Sequence, residues 1–140
     1  MREARTLPPH RHATLRLVVL LTAAAFSTVR GVSYLLPRPA TGTEAAALTY
    51  VEAWLPLAVW AWVWLLLAAA LVAAAVLRDL AIPAMSLFVG LLTLWGGSYL
   101  ASWLFLQAPR AWLSAATMCT TALFASVLTM LVERHPETRE

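Results

Sequence analysis

WLPLAVWAWVWLLLAAALVAAAVL, residues 54–77, runs from Trp54 to Leu77 without a charged residue and without a polar side-chain atom other than its indole nitrogens. As a helix at 1.5 Å per residue it is roughly 36 Å long, more than the ~30 Å hydrocarbon core of a bilayer. A chain in lipid must satisfy its backbone polar groups internally, so such a segment spans as a helix. Three further apolar stretches have similar length, at residues 15–36, 84–106 and 111–132. Together the four fill most of the 140 residues. The expected fold is all-α and integral to the membrane: a four-helix transmembrane bundle, arranged as two tandem helical hairpins if the internal repeat described below is genuine. Residues 1–14 and 133–140 read as short solvated tails.

Composition agrees. Hydrophobic residues make up 61% and charged residues 12% of the chain, and the mean hydropathy is +0.75, far from the balance of a soluble domain. The net charge of +3 comes from ten basic residues, all arginine, against seven acidic ones. The arginines sit where a membrane topology places them, and no basic patch interleaves with aromatics in a water-exposed segment, so nucleic acid is not an expected partner. Their exclusive use over lysine hints at a GC-rich bacterial source. Cys119 is the single cysteine and reads as a small packing residue. His10, His12 and His135 all lie in the tails, which weighs against a haem ligated inside the membrane. No catalytic, cofactor or metal site is expected.

Arginines also set the orientation. Arg2, Arg5, Arg11, Arg16, Arg78, Arg134 and Arg139 flank one side of the four spans, and Arg38 and Arg110 the other. The excess puts both termini in the cytoplasm of a multi-pass protein of the bacterial cytoplasmic membrane. Pro37, Pro39 and Gly42 end the first helix and open the longest connection, residues 37–51, whereas residues 78–83 read as a tight turn. The basic start, apolar run and Ala23-Ala24-Ala25 also resemble a signal peptide. The run continues through Phe26 and Val29 to Leu36, as a retained span does, so the first helix is expected to stay uncleaved.

Arg30 is the charged residue well inside a span, about six residues or ~9 Å from the outer end of its helix. An arginine at a helix centre costs about 3 kcal/mol on translocon scales, less where the side chain snorkels outward. Depth counted from the outer ends places Tyr34, Trp60, Tyr99 and Thr117 at a similar level. The expected intramembrane polar layer is therefore Arg30, Tyr34, Glu52 and Tyr99, with Glu52 or Glu44 as counter-charge. Three roles stay open for Arg30: an interfacial anchor, an anion site or gate, and an inter-subunit contact. Trp54, Trp103 and Trp112 read as interfacial anchors, and the deeper Trp60, Trp62 and Trp64 as packing or lipid-facing indoles.

Two patterns bear on helix packing. Gly31-Val32-Ser33-Tyr34-Leu35 in the first span returns as Gly96-Gly97-Ser98-Tyr99-Leu100 in the third, and each is followed by a related start to the next helix, Glu52-Ala53-Trp54-Leu55 and Arg110-Ala111-Trp112-Leu113. A duplicated hairpin would give that order, and so would chance in a chain this rich in alanine and leucine. In the third span Gly90, Gly97 and Ala101 stand at spacings that let backbones approach closely and are the expected packing residues. Hydroxyl residues of the fourth span can bond back to their own helix, so they do not establish a water-lined pore.

Arg30-Gly31-Val32-Ser33-Tyr34-Leu35, Val51-Glu52 with Pro56-Leu57 and Trp60, Trp95-Gly96 with Ser98-Tyr99-Leu100 and Trp103, and Arg110-Ala111-Trp112 resemble small four-span membrane proteins of actinobacterial phages and prophages. The resemblance covers residues 30–110 and carries no assigned active residues. It implies a phage-encoded membrane protein; because no nucleophile and base pair can be named, that protein is expected to be non-enzymatic and to act through membrane residence and helix–helix interaction. Two other functions stay open, a holin-like permeabiliser for lysis and a small channel or exporter. A proton-coupled antiporter is disfavoured because Glu44, Glu52, Asp79 and Glu133 lie at or beyond the membrane edges. The expected partners are the lipid bilayer, further copies of the chain, and a phage or host membrane protein.

Overall fold

The computed structural model describes the backbone of residues 9–36 and 43–133, and the side chains of 13–36 and 48–131. Its elements are α1 (Pro9–Leu35), α2 (Thr43–Glu52), α3 (Leu57–Val76), a 3-10 turn (Arg78–Leu80), α4 (Ala81–Leu106) and α5 (Ala111–Glu133). Among the described residues there is no strand. Four of these helices contain segments long and apolar enough to cross a membrane: Ala13–Leu35, Leu57–Val76, Arg78–Leu106 and Ala111–Leu131. Large apolar side chains face outward along all four, with Val29, Val76 and Phe105 at 69%, 81% and 73% exposure. Such a surface is untenable in water and ordinary in lipid. The protein is a four-helix transmembrane bundle, a small multi-pass membrane protein.

The buried positions explain the bundle. The main line of them is Leu20, Ala24, Ser27, Gly31 and Tyr34 on α1; Trp60, Trp64, Leu67, Leu71 and Ala74 on α3; Met85, Phe88, Leu92, Trp95, Tyr99 and Ser102 on α4; and Ala111, Ala115, Met118, Ala122 and Ala125 on α5, with the small Ala23, Ala61, Ala68, Ala84 and Gly96 buried beside it. Each set advances by alternating steps of three and four residues. That 3.5-residue seam keeps one face of each helix toward its neighbours, as in left-handed bundles. Between spans the stabilisation is close packing, since lipid tails are as apolar as the core.

Two antiparallel hairpins dominate, α1 against α3 and α4 against α5. Each is drawn together at a glycine three residues before a tyrosine. A Cβ at Gly31 would lie 2.7 Å from Leu65 Cγ and 3.0 Å from the Ala61 carbonyl oxygen, and a Cβ at Gly96 would lie 2.8 Å from Cys119 Sγ. The first half of the internal repeat thus has a structural counterpart. The second half has none: Trp54 stands in a turn before α3, whereas Trp112 is inside the first turn of α5.

Several boundaries differ from the sequence reading. The long connection contains α2, whose Ala45-Ala46-Ala47 run favours helix and whose buried Leu48 and Val51 seat it against α4. The second span starts at Leu57 because Pro56, extended at ψ 143°, forms its N-cap. Residues 78–83 are not a separate turn: the 3-10 segment runs directly into α4, and Pro83 sits in the first helical turn, where its missing N–H removes no intrahelical bond. α1 reaches back to Pro9, inside the expected N-terminal tail. Residues 1–8 and 134–140 of the two tails lie outside the described residues.

Candidate functional site

Helical spacing puts Phe26, Arg30 and Tyr34 one turn apart on one face of α1. The half-buried Arg30 guanidinium lies 5.9 Å from the centroid of the Phe26 ring and 6.0 Å from that of Tyr34. Its Nη2 donates to Met118 Sδ of α5 at 3.5 Å. Two π faces and a polarisable sulfur therefore surround the charge. Each cation–π contact contributes about 0.5–2 kcal/mol, more as it loses water, which offsets a substantial part of the burial cost.

Around this group the aromatic side chains form a continuous cluster centred on the fully buried Trp95. Tyr34 stacks on Trp95 at 4.8 Å with 16° between the planes. Trp60 and Trp64 meet it edge-on at 5.8 and 6.2 Å, and Tyr99 adjoins it at 5.9 Å. Phe26 continues the cluster to Trp64 and Phe88. Trp60 Nε1 donates to the Val51 carbonyl at 3.1 Å, tying α3 to α2. The indole N–H groups of Trp64 and Trp95 have no acceptor among the described residues. Against the roughly 1–3 kcal/mol that an unmet donor costs stand ring contacts that contribute about 0.5–1.5 kcal/mol each.

Of the expected polar layer, the structure brings Arg30 beside Tyr34 and brings both Tyr34 and Tyr99 into contact with one indole, that of Trp95. Glu52 is exposed at the end of α2, and among the described residues no ion pair joins it to Arg30. The Glu44 side chain lies outside the described residues. Thr117 is exposed and bonds back to the Leu113 carbonyl at 2.8 Å. Thr121, Ser126 and Thr129 do the same one turn back. Sequence reasoning passed over Phe26, Trp95 and Met118. The first was legible from its spacing to Arg30; Met118 required knowing which helices pack together.

The expected packing residues fall elsewhere. A Cβ at Gly90 or at Gly97 would meet nothing within 4 Å, both glycines are exposed, and Ala101 is half-buried. Within the bundle Gly31 and Gly96 provide the close approaches instead. Gly90 and Gly97 lie seven residues apart, so they share one outward face of α4, together with Ser86, Thr93 and Ala101.

Comparison with family models, with curated proteins and with solved structures gives no match.

Proposed function

We propose that this is a non-enzymatic membrane protein that works by lateral association with further copies of itself, through the outward face of α4. The observation that carries the reading is the open space over Gly90 and Gly97. A glycine inside a helix costs about 0.5–1 kcal/mol relative to alanine, and neither glycine repays that within the monomer. Between membrane helices, small residues on a shared face let a second backbone approach and gain dispersion contacts.

The fully buried Trp64, Trp95, Leu71 and Leu92 fill the middle of the bundle. A holin-like permeabiliser or a channel would therefore form its path between assembled copies, for which the outward face of α4 offers the close contact. The resemblance of residues 30–110 to phage proteins supports a phage or prophage origin. The arginine distribution supports a cytoplasmic membrane with both termini inside.

Energy transfer between donor- and acceptor-tagged full-length chains in vesicles tests the association. Transfer should rise with protein-to-lipid ratio and fall at least fivefold in Gly97→Leu, while Leu123→Ala on the lipid face of α5 leaves it unchanged. A monomer at every ratio, or a Gly97→Leu variant that associates normally, overturns the reading. The holin-like alternative predicts abrupt loss of membrane potential after a delay; dense accumulation with the potential intact excludes it.

A further inference from the structure

At the end of the bundle that carries the start of the first span and the α3–α4 connection, two arginines share one site. Arg16, half-buried on α1, donates from Nη2 to the Ala74 carbonyl of α3 at 2.8 Å, which fixes its guanidinium across the hairpin. Arg78 stands on the 3-10 turn just past α3. Both side chains line a cavity of about 190 Å³ against α4, and both also line a second of about 340 Å³ beside α3. Asp79, the acidic neighbour on the same turn, is exposed and lines neither.

The first cavity adjoins an apolar groove. Val19 and Met85 line it and also line a third cavity, of about 360 Å³, which runs between α1, α4 and α5 as far as Phe26 and Phe88. From Arg16 to Phe26 along α1 is roughly 15 Å at 1.5 Å per residue, about half of a ~30 Å hydrocarbon core. The site thus has two cations at the membrane edge and, beside them, an apolar groove that reaches one leaflet deep.

We infer that this is a binding site for an anionic phospholipid, with the headgroup phosphate between Arg16 and Arg78 and one acyl chain along Val19, Met85 and Phe88. Guanidinium groups bind phosphate through paired N–H donors. Basic pockets between spans take acidic headgroups, whereas a free phosphate would leave the apolar groove unused. The site is separate from the α4 face on which the functional proposal rests, so either stands if the other fails.

Native mass spectrometry of the full chain in detergent, titrated with dioleoyl phosphatidylglycerol, dioleoyl phosphatidylcholine or inorganic phosphate, tests the assignment. Phosphatidylglycerol should bind with at least tenfold preference over phosphatidylcholine, and millimolar phosphate should not displace it. Arg78→Gln should reduce that preference about fivefold, in keeping with the contribution of one basic residue at a membrane surface, and Arg78→Lys should restore most of it. Arg110→Gln, at the other end of the bundle, should leave it unchanged. Arg78 is the informative variant because Arg16→Gln also removes the bond to Ala74. Equal binding of the two lipids, an unaffected Arg78→Gln, an equal loss in Arg110→Gln, or displacement by phosphate would each overturn the site.

Discussion

Arg30 enters the interior among rings and a thioether, and its energetics should follow those neighbours. In thermal unfolding of the detergent-solubilised protein, the cycle Arg30→Gln with Phe26→Leu should show a coupling of about 0.5–1 kcal/mol. The cycle Arg30→Gln with Glu52→Gln should be additive within about 0.5 kcal/mol, because no ion pair joins the two. Coupling to Glu52 above that bound would restore the charge-pair reading. Arg30 was legible as the charged residue at depth, and Phe26 and Tyr34 by their spacing one turn to either side of it, but Met118 was not. Depth along a helix fixes which residues share a level, and only packing decides which of them share a face.

At the scale of elements, glycines with the same helical environment in sequence have opposite roles. Gly96→Ala should destabilise the protein by about 1–3 kcal/mol through the clash with Cys119, whereas Gly90→Ala should be neutral or stabilising by up to about 1 kcal/mol. Equal effects in thermal unfolding would mean that the close approach at Gly96 relaxes freely. The α4–α5 turn offers a second test. Gln107 ends α4 in the left-handed region at φ 49°, a conformation that suits glycine. Gln107→Gly should therefore raise stability by about 0.5–1 kcal/mol, and a loss would show that the glutamine side chain contributes more than the backbone costs. The spans themselves were readable, since long uncharged runs admit one solution in lipid. α2 was not read because prolines and a glycine precede it and suggested an irregular loop, while its alanines and the turn-opening Glu44 favoured helix. Gly90 and Gly97 were legible as small residues at packing spacing, but such spacing marks close approach without saying to what.

For the whole molecule, four antiparallel spans place the start of α1 and the end of α5 on the same face as Arg16 and Arg78. Reporter fusions should find both termini on the cytoplasmic side, and periplasmic activity of alkaline phosphatase fused after Glu140 would refute that orientation. Inside the bundle, matter is unevenly distributed: aromatic rings occupy the space from Phe26 and Phe88 to Tyr99, whereas open grooves flank Arg16 at one end and lie between Trp103 and Trp112 at the other. Close-packed rings are nearly incompressible, whereas voids yield. Under hydrostatic pressure or a change in lateral bilayer stress the ring-packed middle of the molecule would keep its width, and the groove-flanked ends would give first.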